Sequence, residues 1–182
     1  MGVTKNTILK ITYSGVCVAL AILLPFLTWN DVMLGNMFSL MHIPVLLCGF
    51  LCGWQWGIAV GFVSPLLRSL IVGKPPMFPT AVAMAFELCV YGLLAGLLYK
   101  LLPKKNGFLY VSLIGAMLGG RIVGGAAQFV IAGIRGTGYT IATFFSSYFV
   151  TAIPGIVLHI ILVPLIVMAL KNANLMPSDE KK

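Results

Sequence analysis

Long apolar runs, separated by short polar stretches, divide this chain into six segments. Roughly twenty consecutive apolar residues cross the hydrocarbon core of a bilayer, and this length sets the division. The segments are predicted at residues 8–27, 40–53, 57–72, 78–102, 108–134 and 141–170. The pattern therefore predicts an all-α integral membrane protein with six transmembrane helices, folded as one domain over residues 1–182.

Three of the polar stretches are predicted to share one face of the membrane. The first, 28–39, is a polar and aromatic loop that contains Asn30 and Asp31. The second is a hinge at 73–77, and the third is a loop at 135–140. A ligand that arrives from that face would meet these three connections first.

Composition agrees with a membrane protein, since the chain is 60% hydrophobic and only 9% charged. An ordinary soluble domain has about a quarter of its residues charged. The net charge of +8 does not indicate nucleic-acid binding, because the basic residues lie at the ends of apolar runs and do not cluster with aromatic residues. The positions of the basic residues are better explained by the orientation of the helices in the membrane.

The distribution of Lys and Arg predicts that both termini are cytoplasmic, because short cytoplasmic loops carry the excess of positive charge. In a six-helix arrangement, and apart from Arg68 and Arg121 within the segments, two basic residues fall on one side, Lys74 and Arg135. The others fall on the opposite side: Lys5, Lys10, Lys100, Lys104, Lys105, Lys171, Lys181 and Lys182.

Charged residues inside the segments are the first candidates for function, because an ionised side chain in hydrocarbon costs at least about 2.5 to 3.5 kcal/mol. Arg68 either extends its charge to the headgroups or binds a ligand. Glu87 shares one helical stripe with Tyr91. It either accepts hydrogen bonds from a polar ligand or pairs with Arg68 or Arg121.

Further polar residues are weaker candidates. Arg121 lies between two glycine pairs with Gln128 on the same face, which allows either close helix packing or close approach of a ligand. Ser146 and Ser147 can supply hydroxyl groups, although such groups often bond to their own helix. His42 and His159 are isolated in the sequence, and a structural role is the safer interpretation of each.

The sequence shows no sign of catalysis. It contains no phosphate-binding loop, no zinc-protease or serine-hydrolase motif and no paired acidic motif, and its apolar segments hold a single carboxylate. No cluster of cysteines and histidines completes a metal site, and the four cysteines are interpreted as buried and inert. We expect a binding or transport protein with no cofactor and no metal.

Gly15 and Ala19 in the first segment, flanked by other small residues, form a face that another helix can approach closely. The partner could lie within this chain or outside it.

The whole pattern resembles the substrate-binding S components of energy-coupling factor (ECF) transporters, the vitamin-uptake relatives of ABC importers. Length, six helices, the small first-helix face and the run MHIPVLLCGFLCGWQWGIAVGFVSPLLRSLIVGKPPMFPTAVAMAFELCVYG carry the resemblance, which covers nearly the whole chain. It implies high-affinity capture of a vitamin or precursor from outside. It also implies association with a transmembrane coupling subunit and two ATPases, in the plasma membrane of a Gram-positive bacterium.

By this resemblance, the family's small-residue docking motif falls on Gly15 and Ala19. Its ligand pocket falls on a set of residues among the helices and loops of the outer face: Asn30, Asp31, Arg68, Glu87, Tyr91, Gln128, Ser146 and Ser147. The sequence lacks the histidine-rich N-terminus of the nickel and cobalt members, which favours an organic ligand. A structural or interaction subunit and an autonomous transporter are the alternatives, the latter disfavoured by small size and the lack of repeats.

Overall fold

The computed structural model describes residues 2–29, 31–103 and 105–177, which form helices and no strand. The helices are α1 (Gly2–Leu23), α2 (Val32–Phe38), α3 (His42–Cys52), α4 (Trp54–Val72), α5 (Val82–Leu101), α6 (Asn106–Arg135), α7 (Ile141–Phe145) and α8 (Ile153–Asn172). Shorter helical turns cover Leu24–Thr28, Met77–Ala81 and Ser146–Val150.

Six stretches of the described chain are long and apolar enough to cross a membrane, which confirms the predicted fold class. They are Asn6–Thr28, Met33–Cys52, Trp54–Val72, Met77–Leu101, Gly107–Ile134 and Ile153–Asn172. Much of their outer surface is exposed aliphatic and aromatic side chain, as expected where lipid replaces water as the solvent. The cytoplasmic side of the termini stays a prediction.

Two predicted segments differ from the structure. The loop predicted at 28–39 contains α2, whose first turn is capped by Asp31: its carboxylate accepts a hydrogen bond from the Leu34 backbone N–H at 2.9 Å. The segment predicted at 141–170 is not one helix, because residues 151–152 form a turn between the helical turn Ser146–Val150 and α8. Hydropathy alone does not detect either change, because it records the polarity of residues and not backbone hydrogen bonding.

The second span is split into two helices. α2 ends at Ser39, which has a left-handed φ of 48°, and α3 begins three residues later at His42. The Ser39 carbonyl accepts a hydrogen bond from the backbone N–H of His42 at 2.9 Å, which fixes the angle between the two helices. All eleven residues of α3 are buried, so this short helix is the centre of the bundle.

α4 packs against α5 with backbone touching backbone. A methyl group added at Gly57 would overlap the carbonyl of Gly92, and one added at Gly61 would overlap the carbonyl of Leu88. α3 approaches α5 in the same way, since a methyl group at Gly49 would lie 2.7 Å from the Gly92 carbonyl oxygen. Glycine is required here because no other residue leaves room for this approach.

The connection between α4 and α5 marks one end of the bundle, which we call the hinge end (residues 73–76). Arg68 ties this end together. Its guanidinium donates hydrogen bonds to the carbonyl oxygens of Ile22, at 3.3 Å, and of Lys74. It also lies over the ring of Phe26, 5.6 Å from the centroid. Arg68 thereby joins the end of α1 to the hinge.

We predict that Gly92→Ala destabilises the protein by about 1 to 3 kcal/mol, because the added methyl group would meet backbone atoms of α4 that cannot rotate away. The matched control is Gly133→Ala on α6, where nothing lies within 4 Å of the added methyl group. Thermal unfolding in detergent measures both. Equal melting temperatures for the two variants would show that α4 and α5 separate easily and that the contact does not hold the fold.

Candidate functional site

Five polar side chains are buried together toward the hinge end of the bundle. They come from α3, α5, α6 and α8, and none is more than 6% exposed: His42, Glu87, Tyr91, Arg121 and His159. We call them the polar cluster. Buried polar groups are costly unless they have partners, so their contacts decide what the cluster can do.

Glu87 has a partner on α3. Its Oε1 atom lies 3.3 Å from Nε2 of His42, an ion pair when the imidazole is protonated and a hydrogen bond to the carboxylate when it is neutral. On its other side Glu87 packs against α6, where a methyl group on Gly124 would lie 2.8 Å from its Cβ. This glycine lets the carboxylate fit between two helices.

Tyr91 lies one turn below Glu87 and also faces a glycine of α6, since a methyl group on Gly120 would overlap its ring. Its ring meets the His42 imidazole edge to face, with centroids 4.9 Å apart. The charges of Glu87 and Arg121 both act on Tyr91. Its hydroxyl is buried beside the Arg121 side chain but makes no hydrogen bond of acceptable geometry with any described residue.

Arg121 supplies the positive charge of the cluster from α6. Its Nε atom is buried and has no hydrogen-bond partner in the described part of the chain. Its guanidinium carbon lies 5.9 Å from the centre of the Phe149 ring, a cation–π contact. A buried guanidinium with an unused donor is ready to bind a hydrogen-bond acceptor.

Aromatic side chains from the segment 141–150 cover the cluster, and we call Phe144, Tyr148 and Phe149 the aromatic roof. The Phe144 ring lies 5.3 Å from that of Tyr148 and 5.8 Å from that of Phe149. A methyl group on Gly125 would overlap Phe144, so the roof rests directly on α6. No residue of 141–150 is itself buried.

An open apolar pocket of about 220 Å³ lies between α6 and α7. It is lined by Ile122, Gly125, Ala126, Phe129, Tyr139, Thr140, Ile141 and Phe144. The Tyr139 hydroxyl is buried without a partner among the described residues. Burial raises the pKa of Tyr139, and the nearby charge of Glu87 raises it further.

The structure brings only part of the predicted pocket together. Glu87 and Tyr91 are in the cluster, and Gln128 is half-buried on α6, two turns beyond Arg121. Ser146 and Ser147 are exposed beside the roof, and Asp31 is exposed and caps α2. Asn30 lies outside the described residues.

Arg68 belongs to a different contact from Glu87. Gly61 on α4 packs beside Leu88, the residue next to Glu87 on α5. Arg68 is seven residues beyond Gly61 toward the hinge end, which places it about 10 Å farther along the α4 axis at 1.5 Å per residue. Its contacts with the carbonyls of Ile22 and Lys74 are those of a structural tie. Its assignment to the pocket stays a prediction.

Sequence reasoning missed His42 and His159 as members of the cluster. They are 117 residues apart, on α3 and α8, yet their rings stack with centroids 6.1 Å apart. One signal did exist, since His42 opens an unusually short apolar segment, and interrupted membrane helices often mark binding sites. Among the described residues, no group of three His, Cys, Asp or Glu side chains could hold a metal ion.

A protein-family model described as "ECF transporter, substrate-specific component" matches residues 9–167 of the 182. The match runs from α1 into α8 and therefore includes every member of the polar cluster. No curated protein and no solved structure matches the chain.

We predict an energetic coupling of about 0.5 to 3 kcal/mol between His42→Phe and Glu87→Gln, because each substitution removes one side of the same contact. Arg68→Gln combined with Glu87→Gln is the control pair, and these effects should add to within about 0.5 kcal/mol. Unfolding in detergent of the single and double variants provides both values. A stronger coupling of Glu87 to Arg68 than to His42 would contradict the contacts described above.

Proposed function

This chain belongs to the family of ECF transporter substrate-specific components, and we propose that it captures a small vitamin-like organic molecule at the polar cluster. In this proposal the chain binds its substrate from outside the cell, and separate subunits drive the transport. It is a multi-pass protein of the plasma membrane, and the resemblance of its sequence suggests a Gram-positive bacterium.

The unsatisfied atoms of the cluster are the observation that carries this proposal. Nε of Arg121, the hydroxyl of Tyr91 and Nδ1 of both histidines are buried without partners among the described residues. Each such atom costs about 1 to 3 kcal/mol. A purely structural cluster would be expected to satisfy its own hydrogen bonds. A polar ligand among these four helices would recover that cost, which favours a binding site over a structural subunit.

The proposed orientation places the hinge end outside the cell. The connections at 73–76 and 136–140 lie at this end, and the excess of Lys at the opposite ends of the helices favours the cytoplasm there. The cluster then lies below the outer surface, under the aromatic roof. Substrate would enter by displacement of the segment 141–150, which buries no residue of its own.

We propose that the partners are a transmembrane coupling subunit and two ATPases, as the resemblance implies. Gly15 and Ala19 are both exposed on α1, and nothing lies within 4 Å of a methyl group added at Gly15. Their side of α1 is therefore open to a helix from another subunit. Small residues favour such contacts in lipid because they allow dispersion forces to act at short range.

We predict that Arg121→Gln and Glu87→Gln each reduce substrate affinity by about tenfold to a hundredfold, as expected for loss of a charge-assisted hydrogen bond. Arg135→Gln is the matched control, because it removes an exposed cation at the end of the same helix. Mass spectrometry of small molecules that copurify with each variant measures retention. If folded wild-type protein and both variants carry the same compounds in equal amount, the polar cluster is not the binding site.

We predict that Gly15→Trp or Ala19→Trp abolishes uptake in cells that contain the coupling subunit and the ATPases, while substrate still copurifies. Bulk on this face would block approach of the partner helix without reaching the cluster. Val130→Trp on α6 is the control, since Val130 is also exposed but lies on another helix. Unchanged uptake in the α1 variants would place the docking surface elsewhere, and joint loss of uptake and binding would place this face inside the substrate path.

A further inference from the structure

His159 is held in one orientation by the backbone of α2. Its Nε2 atom lies 3.2 Å from the carbonyl oxygen of Ser39. One turn earlier on α8, a methyl group on Gly155 would lie 2.6 Å from the Met37 carbonyl oxygen, so the end of α2 is pressed against this face of α8. The imidazole therefore has a fixed anchor.

The anchor also fixes the position of the proton. A carbonyl oxygen only accepts hydrogen bonds, so Nε2 of His159 carries the hydrogen. The ring is fully buried, and Arg121 and the second imidazole, His42, both act on it electrostatically. A second proton on His159 would place a positive charge in the buried interior, at a high cost in free energy. Nδ1 of His159 therefore carries a lone pair and no hydrogen, so it can only accept a hydrogen bond.

This acceptor has no partner among the described residues. The contact with Ser39 explains Nε2 and the position of α2, but it leaves Nδ1 unsatisfied. The neighbouring ring of His42, tilted by 27° and with its centroid 6.1 Å away, presents a buried Nδ1 that is also unpartnered. A structural role for His159 requires only the Ser39 contact, whereas a ligand that donates a hydrogen bond would also satisfy Nδ1 of His159.

We propose that Nδ1 of His159 is a specificity-determining acceptor, and that the substrate presents an N–H or O–H donor to it. This inference rests on the proposed function, since it describes the same site. Arg121 offers a donor on α6, so the substrate class is a small molecule that carries a hydrogen-bond donor and an acceptor or anionic group together. Such a molecule is an N–H heterocycle or a hydroxylated ring, and simple carboxylates that lack a donor are rejected.

Two substitutions separate the roles of the two ring nitrogens. The amide nitrogen of Gln reaches the position of Nε2, so His159→Gln keeps the donor to Ser39 and removes the acceptor. The terminal atoms of Asn reach the position of Nδ1, so His159→Asn keeps an acceptor there and removes the Ser39 contact. We expect His159→Gln to lose about tenfold or more in affinity, and His159→Asn to bind more tightly than His159→Gln although it melts at a lower temperature.

The probes are pairs of pyridone, pyrimidinone and purine compounds in which one member has its ring N–H methylated, together with simple carboxylates. Binding is measured as the rise in melting temperature of purified protein in detergent. We expect methylation to abolish the rise produced by an active compound, and carboxylates without a donor to produce none. Equal stabilisation by both members of each active pair, or equal affinity of wild-type protein and His159→Gln, overturns the inference.

The proton position is tested without any ligand. The chain contains two histidines, so labelling with ¹⁵N-histidine and purification without a histidine tag reports on these two rings only. We expect His159 to be the neutral ring with its proton on Nε2, assigned from its disappearance in His159→Gln. A proton on Nδ1 of His159 overturns the inference, regardless of which compounds bind to the protein.

The outcomes also distinguish the inference from the proposed function. If compounds stabilise the wild-type protein but not Arg121→Gln, and methylation has no effect, the site binds substrate and only the role of His159 is wrong. If no compound stabilises the wild-type protein and nothing copurifies with it, binding at the cluster is refuted and the inference falls with it.

Discussion

The close approach of α5 to α3 and α4 is the constraint on which the rest of this structure depends. Gly49, Gly57, Gly61 and Gly92 bring the backbones into contact, and Gly96 does the same against the start of α4. Lipid offers apolar side chains no hydrophobic gain over another helix, so stability in the membrane comes from such short-range packing. Because the contact is made by backbone, it also fixes the register of α5 against both neighbours.

That register decides where the charges meet. α5 presents Glu87 to His42 on one side and to Gly124 on the other, and a slide of α5 by one turn would move the carboxylate about 5.4 Å away from both. The backbone contacts of α5 with α3 and α4 thus keep the buried carboxylate of Glu87 paired with His42. α8 adds His159 to the cluster, and the carbonyl oxygen of Ser39 holds this imidazole in place. The cluster combines fixed positions with unsatisfied atoms, which is the combination expected of a preorganised binding site.

Hydropathy predicted the six spans because length and apolar content are local properties of the chain. The α2 helix was missed although Asp31 before Val32-Met33-Leu34 is an N-cap signal, because the loop was interpreted by its polar residues. The partners of Glu87 and Arg68 were not predictable in the same way. His42 is 45 residues from Glu87, and Arg68 bonds to main-chain carbonyls, which no sequence pattern identifies. For the same reason two histidines 117 residues apart were each interpreted as isolated.

The aromatic roof differs from the rest of the site in how it is attached. The segment 141–150 contains no buried residue, and its rings contact α6: Phe144 lies against Gly125, and Phe149 lies beside the Arg121 guanidinium. Exchange of these rings for other shapes would change the volume above Arg121 while the backbone contacts of α3, α4 and α5 stay intact. Selection could therefore alter substrate preference at little cost in folding stability, so that one scaffold can give rise to descendants with different ligands.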